Sequence, residues 1–376
     1  MKKSIVLILS LVLVFACSKD KSENIEGDFS ISGKFVTPNS NDAISKASVK
    51  LYSNSTIVKE TDTDSEGNFT LSGIESGEYE LTIAKGLFTT TQNVILDETN
   101  DVFDITLDNI EFTSFPNIAV VTGSYDHIED VLYNIGLVNP ITQEPLFDII
   151  DGSGPFDRPI GDAHNSRHQS LMGRNFNPQL EPNVDFDFGD LIDSPTLLSN
   201  YDIIFLNCGL DNSKLASSNN LTQYVADGGL LYATDWAYEY LNDITADGNQ
   251  YLSFYNPYKS GESLSTEAEV FNTDLLDWLT LNYNITIENN TVTIDEFLPS
   301  WQVVDSYDET TVLPWLNGPI TYNGITENKY LAYTFLHGNG GVLYSSFHTE
   351  NETSDATTVE RVMQYLTFEL SDLKNE

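Results

Sequence analysis

The sequence predicts a chain of two folded parts: a small β-sandwich, then an α/β domain built on a parallel sheet. Three observations carry this. Between Phe29 and about Leu107, short runs alternate apolar and polar residues and are parted by turn residues, as strands of a sandwich do. From about Pro116 onward, continuous apolar runs alternate with segments of helical spacing, the pattern of strands buried on both faces and the helices that cover them. The 376 residues leave room for two domains at roughly 150 residues each.

The first element is not counted in the fold. Lys2 and Lys3 precede an apolar run, Ser4 to Phe15, that is shorter than the ~20 residues of a spanning helix. It reads as a secretory signal. Val14-Phe15-Ala16-Cys17 closes it, and polar Ser18-Lys19-Asp20-Lys21 follows. This start resembles a bacterial lipoprotein signal; the alternative is an ordinary signal peptide with an incidental cysteine. The resemblance implies cleavage before Cys17, diacylglycerol on its thiol and, with Ser18 next, the outer membrane of a Gram-negative cell. Membrane lipid would then be one partner. Residues 1–17 are thus signal, 18–27 a tether, 28–109 the sandwich and 114–374 the α/β domain.

Within the sandwich, "FSISGKFV", "ASVKLYS", "STIVKETDT", "GNFTLSGI", "GEYELTIAK" and "FDITL" each fit a strand of an antiparallel arrangement. Gly67 permits a turn, and Phe69, Leu71, Tyr79 and Leu81 alternate toward a core. Thr63, Asp64, Gly67, Phe69, Gly77 and Tyr79 resemble the Thr-Asp-x-x-Gly-x-Phe and Gly-x-Tyr pattern of carboxypeptidase regulatory-like and related immunoglobulin-like modules. That likeness implies an immunoglobulin-like sandwich serving as spacer or binding module. Asp62-Thr63-Asp64-Ser65-Glu66-Gly67 also looks like half of a calcium loop, but its twelfth position is Gly73, where a bidentate Glu is required. A turn explains it better.

In the second domain, "NIAVVTG", "LFDIID", "YDIIFLNCG" and "LLYATD" read as buried strands. Ile128, Val131, Leu132 and Ile135 mark a helix, as do "LTQYVADGG" and the closing run with Val359, Val362, Met363 and Leu366. Residues 329–348 read as a hairpin with Gly340-Gly341 at or beside its turn. Two long stretches, 152–200 and 245–328, interrupt the plan; such loops carry function or structure of their own.

Charge narrows the partners. Seventeen Lys plus Arg stand against 57 Asp plus Glu, a formal charge of −40. Nucleic acid would be repelled, since binding it takes clustered Lys and Arg. Apart from Cys17 only Cys208 is present, so no internal disulfide forms in the mature chain.

In open α/β sheets, ligands sit beyond the carboxyl ends of the strands. The residues there are Gly123, Ser124, Tyr125 and Asp126; Asn207, Cys208 and Gly209; Thr234, Asp235 and Trp236; and His348 with Glu350. "YDIIFLNCG", "VADGGLLYATD" and "YSSFHTE" resemble the class I glutamine amidotransferase-like superfamily, flavodoxin-like proteins that include trehalose-utilisation-type members. The family places a cysteine nucleophile on a sharp turn after one strand and a His-x-Glu after a later one. His348 and Glu350 match that pair, but Thr234 or Asp235 stands where the cysteine belongs, which argues against glutamine hydrolysis.

Three readings of this site follow. The pocket is silent and kept for binding, with Tyr125, Asp126, Asn207, Cys208 and Trp236 toward a ligand and Asp235 capping the helix that begins at Trp236. Or Asp235 is the nucleophile, His348 the base and Glu350 its orienter. Or Cys208 attacks from the neighbouring strand. His164 and His168 have i, i+4 spacing without the Glu of a metalloprotease, and "DFDFGD" is a weak calcium pattern, so no metal and no cofactor is expected. Trp236, Tyr238, Tyr240, Trp278, Trp301 and Trp315 fill a core or, if exposed, stack on sugars. The sequence therefore favours a lipid-anchored envelope protein that binds a small molecule, glycan or partner protein. A hydrolase and a structural surface spacer are the alternatives.

Overall fold

The computed structural model describes residues 27–97, 103–152, 180–245, 251–283, 287–297, 300–349 and 358–373. Cys17, Glu350, His164 and His168 lie outside them, as do the signal and nearly all of the tether.

Seven strands build the first domain: β1 (Phe29–Val36), β2 (Ser48–Ser53), β3 (Thr56–Asp62), β4 (Asn68–Ile74), β5 (Gly77–Lys85), β6 (Phe88–Leu96) and β7 (Asp104–Glu111). They form two sheets, β4-β1-β7 and β3-β2-β5-β6. Inward residues such as Phe35, Val49, Leu51, Phe69, Leu71 and Ile83 fill the space between them. Two features differ from expectation. The β1–β7 pair is parallel, so the sandwich is not wholly antiparallel. β6 carries little apolar signal because its centre is Thr-Thr-Thr-Gln-Asn; register against β5 and the inward Phe88, Val94 and Leu96 make it a strand. At the β3–β4 turn Gly67 has φ +75°, and a Cβ there would meet the Phe35 carbonyl oxygen at 2.7 Å. Asp64 accepts from the Glu66 and Asn68 backbone N–H groups, so this segment is a side-chain-braced turn.

The second domain holds a nine-stranded sheet. Its strands are β8 (Ile118–Val121), β9 (Asp148–Ile150), β10 (Ile203–Leu206), β11 (Leu230–Thr234), β13 (Leu264–Val270), β14 (Thr291–Phe297), β16 (Val312–Tyr322), β17 (Ile325–His337) and β18 (Gly340–Ser345). A separate ribbon pairs β12 (Leu252–Phe254) with β15 (Val304–Tyr307). The order is β14-β13-β16-β17-β18-β11-β10-β8-β9. The sheet is mixed rather than parallel throughout. From β9 to β18 neighbours run parallel. From β18 to β14 they run antiparallel, and most of that half comes from the second long insertion. Helices α1 (Ile128–Asn134), α2 (Ser218–Ala226), α3 (Thr273–Tyr283) and α4 (Thr358–Asp372) belong to this domain. The "DFDFGD" acids close a helix start, where Asp187 and Asp190 form a reciprocal capping box.

The two domains dock closely. Phe88 of the sandwich meets Phe368 of α4 at 5.0 Å, and one apolar cluster runs through both domains. Lys85 Nζ lies 2.9 Å from both Glu369 Oε1 and Asp372 Oδ2. Asn282 of α3 makes a two-way amide contact with the Ala43 backbone.

Candidate functional site

The parallel half of the sheet brings the carboxyl ends of β8, β10, β11 and β18 side by side, and the side chains that follow them converge. Gly123 is needed for this, because a Cβ there would meet the Cys208 carbonyl oxygen at 2.0 Å. The loop after β8 can therefore lie against the end of β10, which carries Asp126 into the interior.

Asp126 is the hub. Its Oδ2 accepts from the Cys208 backbone N–H at 2.9 Å and from the Thr234 hydroxyl. Its Oδ1 accepts from the Thr349 backbone N–H at 2.7 Å. One carboxylate thus ties three strand ends. Asn207 Nδ2 donates to Glu129 Oε2 at 2.9 Å, joining α1 to β10. Beside the hub, Asp235 Oδ2 lies 3.2 Å from His348 Nε2 and 3.6 Å from Cys208 Sγ, while Asp235 Oδ1 accepts from the Gln302 N–H at 2.9 Å.

Asp235 stands in the left-handed region, φ +37°. Asp tolerates that region better than most residues, but at a cost of order 1–3 kcal/mol. The helix it was expected to cap has Thr234 at its N-cap position; Asp235 is already inside the turn, and its carboxylate faces Gln302 and His348 instead. The turn is sharp without any glycine beside it, because the side chain's own bonds hold the backbone there.

The centre is closed. Asp126 is fully buried, Cys208 and His348 are 1% exposed and Asp235 is 2% exposed. Burial works against the charged form of His348, but Asp126, Asp235 and Cys208 outweigh it and hold the imidazole well above its usual range. Burial raises the Asp235 carboxyl, opposed by His348 and Gln302. Burial also pushes the Cys208 thiol up to about 12, so at neutral pH it is protonated and a poor nucleophile.

Only two of the predicted binding residues reach the surface. Tyr125 is 44% exposed and Trp236 is half-buried, whereas Asp126, Asn207 and Cys208 lie inside. Trp236 belongs to a rim of rings with Tyr258 at 5.1 Å and Tyr238 at 5.9 Å. Trp236 Nε1 and the Tyr258 hydroxyl donate to the same carbonyl, that of Ser300, at 2.9 and 2.8 Å. Trp278, Trp301, Trp315 and Tyr240 are core residues. A groove of about 280 Å³ lined by Tyr201, Asp202, Asn220, Tyr224 and Gly229 lies at the other end of the sheet, where β10 and β11 begin.

Sequence reasoning placed Thr234 at its strand end but missed Thr349, Gln302 and Glu129 as parts of this centre. Thr349 adjoins His348, which was singled out. Gln302 comes from the second long insertion and offered no signal.

Comparison with known proteins identifies a module in the first part of the chain. Residues 30–108 match the carboxypeptidase regulatory-like domain. The chain also resembles 5-hydroxyisourate hydrolase of Klebsiella pneumoniae, at 15% identity over 24% of this chain and 93% of that one, TM-score 0.20. A protein described as ThuA-like from Parabacteroides merdae is 13% identical over 69% of this chain and 91% of its own, TM-score 0.38. Another so described, from Bacteroides uniformis, is 13% identical over 52% of this chain and 78% of its own, TM-score 0.32. At these scores the likenesses say nothing of chemistry. No curated protein matches the sequence.

Proposed function

We propose that this is a cell-envelope protein, held on membrane lipid through Cys17, whose degenerate amidotransferase-like domain binds rather than cleaves. The ligand is a glycan or similar ring-bearing molecule that stacks on the strand-end rim at Trp236 and Tyr258. One observation carries the reading: both rings are pinned to the Ser300 carbonyl and partly exposed, directly beside a charged centre that is sealed. Fixed aromatic faces lose little freedom when a ligand packs on them, and a sealed centre offers a substrate no entry. The strongly acidic chain favours neutral or cationic ligands over anionic ones.

The test is titration of the purified chain with a panel of neutral and acidic oligosaccharides. For a neutral sugar that binds, Trp236→Ala loses about 2 kcal/mol of affinity, roughly 30-fold. Equal affinity in wild type and Trp236→Ala would sink the rim as the site.

One feature favours a second reading, hydrolysis by Asp235 with His348 as base. A non-glycine residue held at positive φ between strand and helix is where strained nucleophiles stand. Ester, amide and glycoside substrates offered to wild type and Asp235→Asn decide it: turnover present in the first and absent in the second replaces the binding reading.

A further inference from the structure

The geometry points to a structural metal site, of the zinc class, formed by Cys208 Sγ, His348 Nε2 and Asp235 Oδ2 with Asp126 closing the set. A tetrahedral zinc ion with nitrogen, oxygen and sulfur ligands at about 2.1, 2.0 and 2.3 Å sets its N···O edge at about 3.3 Å and its S···O edge at about 3.5 Å. Here the corresponding edges are 3.2 Å, from His348 Nε2 to Asp235 Oδ2, and 3.6 Å, from Cys208 Sγ to Asp235 Oδ2. Asp126, Cys208 and His348 each bring one ligand atom within 4.8 Å of the other two.

The donor set is one thiol, one imidazole and carboxylates, which suits a borderline-soft divalent ion and not the oxygen-only preference of calcium or magnesium. Closure of the site suits a structural ion, since structural zinc sites are four-coordinate and sealed whereas catalytic ones keep an open position. The supporting contacts are also present. Asp126 accepts the Cys208 and Thr349 N–H groups, and Asp235 accepts the Gln302 N–H, so the carboxylates are oriented by backbone donors. An ion there would pull together the ends of β8, β10, β11 and β18, which the contacts of Asp126 and Asp235 already join. Neither the spacing of these residues in sequence nor the earlier expectation of no metal foresees it: Asp126, Cys208, Asp235 and His348 come from four separate strand ends.

This inference is independent of any ligand at the aromatic rim. It is tested on the whole chain, made in zinc-supplemented medium, with metal counted per chain by mass spectrometry. A second sample is unfolded in chelator and refolded with cobalt(II). Expected are about one zinc per chain, a cobalt spectrum of tetrahedral intensity with a thiolate charge-transfer band, and loss of that band in Cys208→Ser. Asp126→Asn, which weakens a ligand as well as the contacts that orient it, weakens the ion by at least roughly 10-fold. Should the variants not fold, wild type alone still decides: zinc must protect Cys208 from alkylation in mild denaturant, read on the Cys208 peptide so that Cys17 does not interfere. Sub-stoichiometric zinc, a cobalt spectrum unchanged by Cys208→Ser, or alkylation of Cys208 indifferent to zinc would each overturn the site.

Discussion

Asp126 shows how much one buried residue can organise. An ionised carboxylate is an acceptor only, and here donors from Cys208, Thr234 and Thr349 surround it. An amide in its place must turn an NH₂ group toward some of those N–H and O–H donors, leaving buried groups unpaired at about 1–3 kcal/mol each. Asp126→Asn should therefore cost at least about 1–3 kcal/mol even in chelator. Urea unfolding checks this: the midpoint should fall while the slope stays constant. A midpoint within error of wild type would mean that the hub is dispensable. Asp235 is a different case. Its side chain holds its own backbone in the left-handed region, so Asp235→Gly removes strain and support together. The sign of its effect separates them: destabilisation means that the Gln302 and His348 contacts outweigh the relief of φ +37°.

At the scale of elements, the docking of β5 and β6 on α4 is where the two domains become mechanically one. Lys85 is buried with two carboxylates on it. Burial favours its neutral form, but Glu369 and Asp372 win and keep the ammonium above its usual range. Removing one member of such a set leaves uncompensated charge, at about 3–5 kcal/mol. Lys85→Met should pull the domains apart energetically, so that calorimetry resolves two unfolding transitions where wild type shows one. Phe88→Ala, which empties the contact with Phe368, should do the same at about 3–5 kcal/mol. A single unshifted transition in both variants would show that the domains are held elsewhere. This interface was illegible in the sequence, since nothing in Lys85 or Phe88 names a partner nearly 290 residues away. The parallel strands were legible because continuous apolar runs such as Ile203–Leu206 have one explanation, burial on both faces. Of the antiparallel half only the β17–β18 hairpin was legible; β13 and β14 were not, because they alternate like surface strands inside what reads as a loop. The site was legible as a set of strand ends, and Asp235, His348 and Cys208 do converge. Gln302 was not, because it acts through its backbone N–H, which any residue carries.

At the scale of the whole molecule, the response to alkali is set by phenols in the core. Tyr224, Tyr232, Tyr333 and Tyr344 are buried and Tyr283 is partly buried, and burial raises each well above the ordinary phenol range. Lys85 shifts in the same direction. A group whose folded pKa is raised stabilises the fold fully below its unfolded pKa and loses that stability as pH climbs toward the folded value. In the unfolded chain these phenols release protons near pH 10, while the folded chain keeps them, so above that pH the unfolded state binds fewer protons and stability falls. Each such group removes about 1.4 kcal/mol per pH unit, so five acting together approach about 7 kcal/mol per unit, comparable with the whole stability of an ordinary domain. The chain should unfold cooperatively within roughly one to two units above pH 10. Phenolate absorbance and far-ultraviolet circular dichroism, followed together, should show the buried phenols ionising only as the fold is lost. Tyr224→Phe, which removes one phenol whose hydroxyl donates to the Leu230 carbonyl, should make the loss shallower by about one proton's worth. Smooth, reversible titration of every tyrosine near pH 10 with the fold intact would contradict the buried positions assigned to these rings.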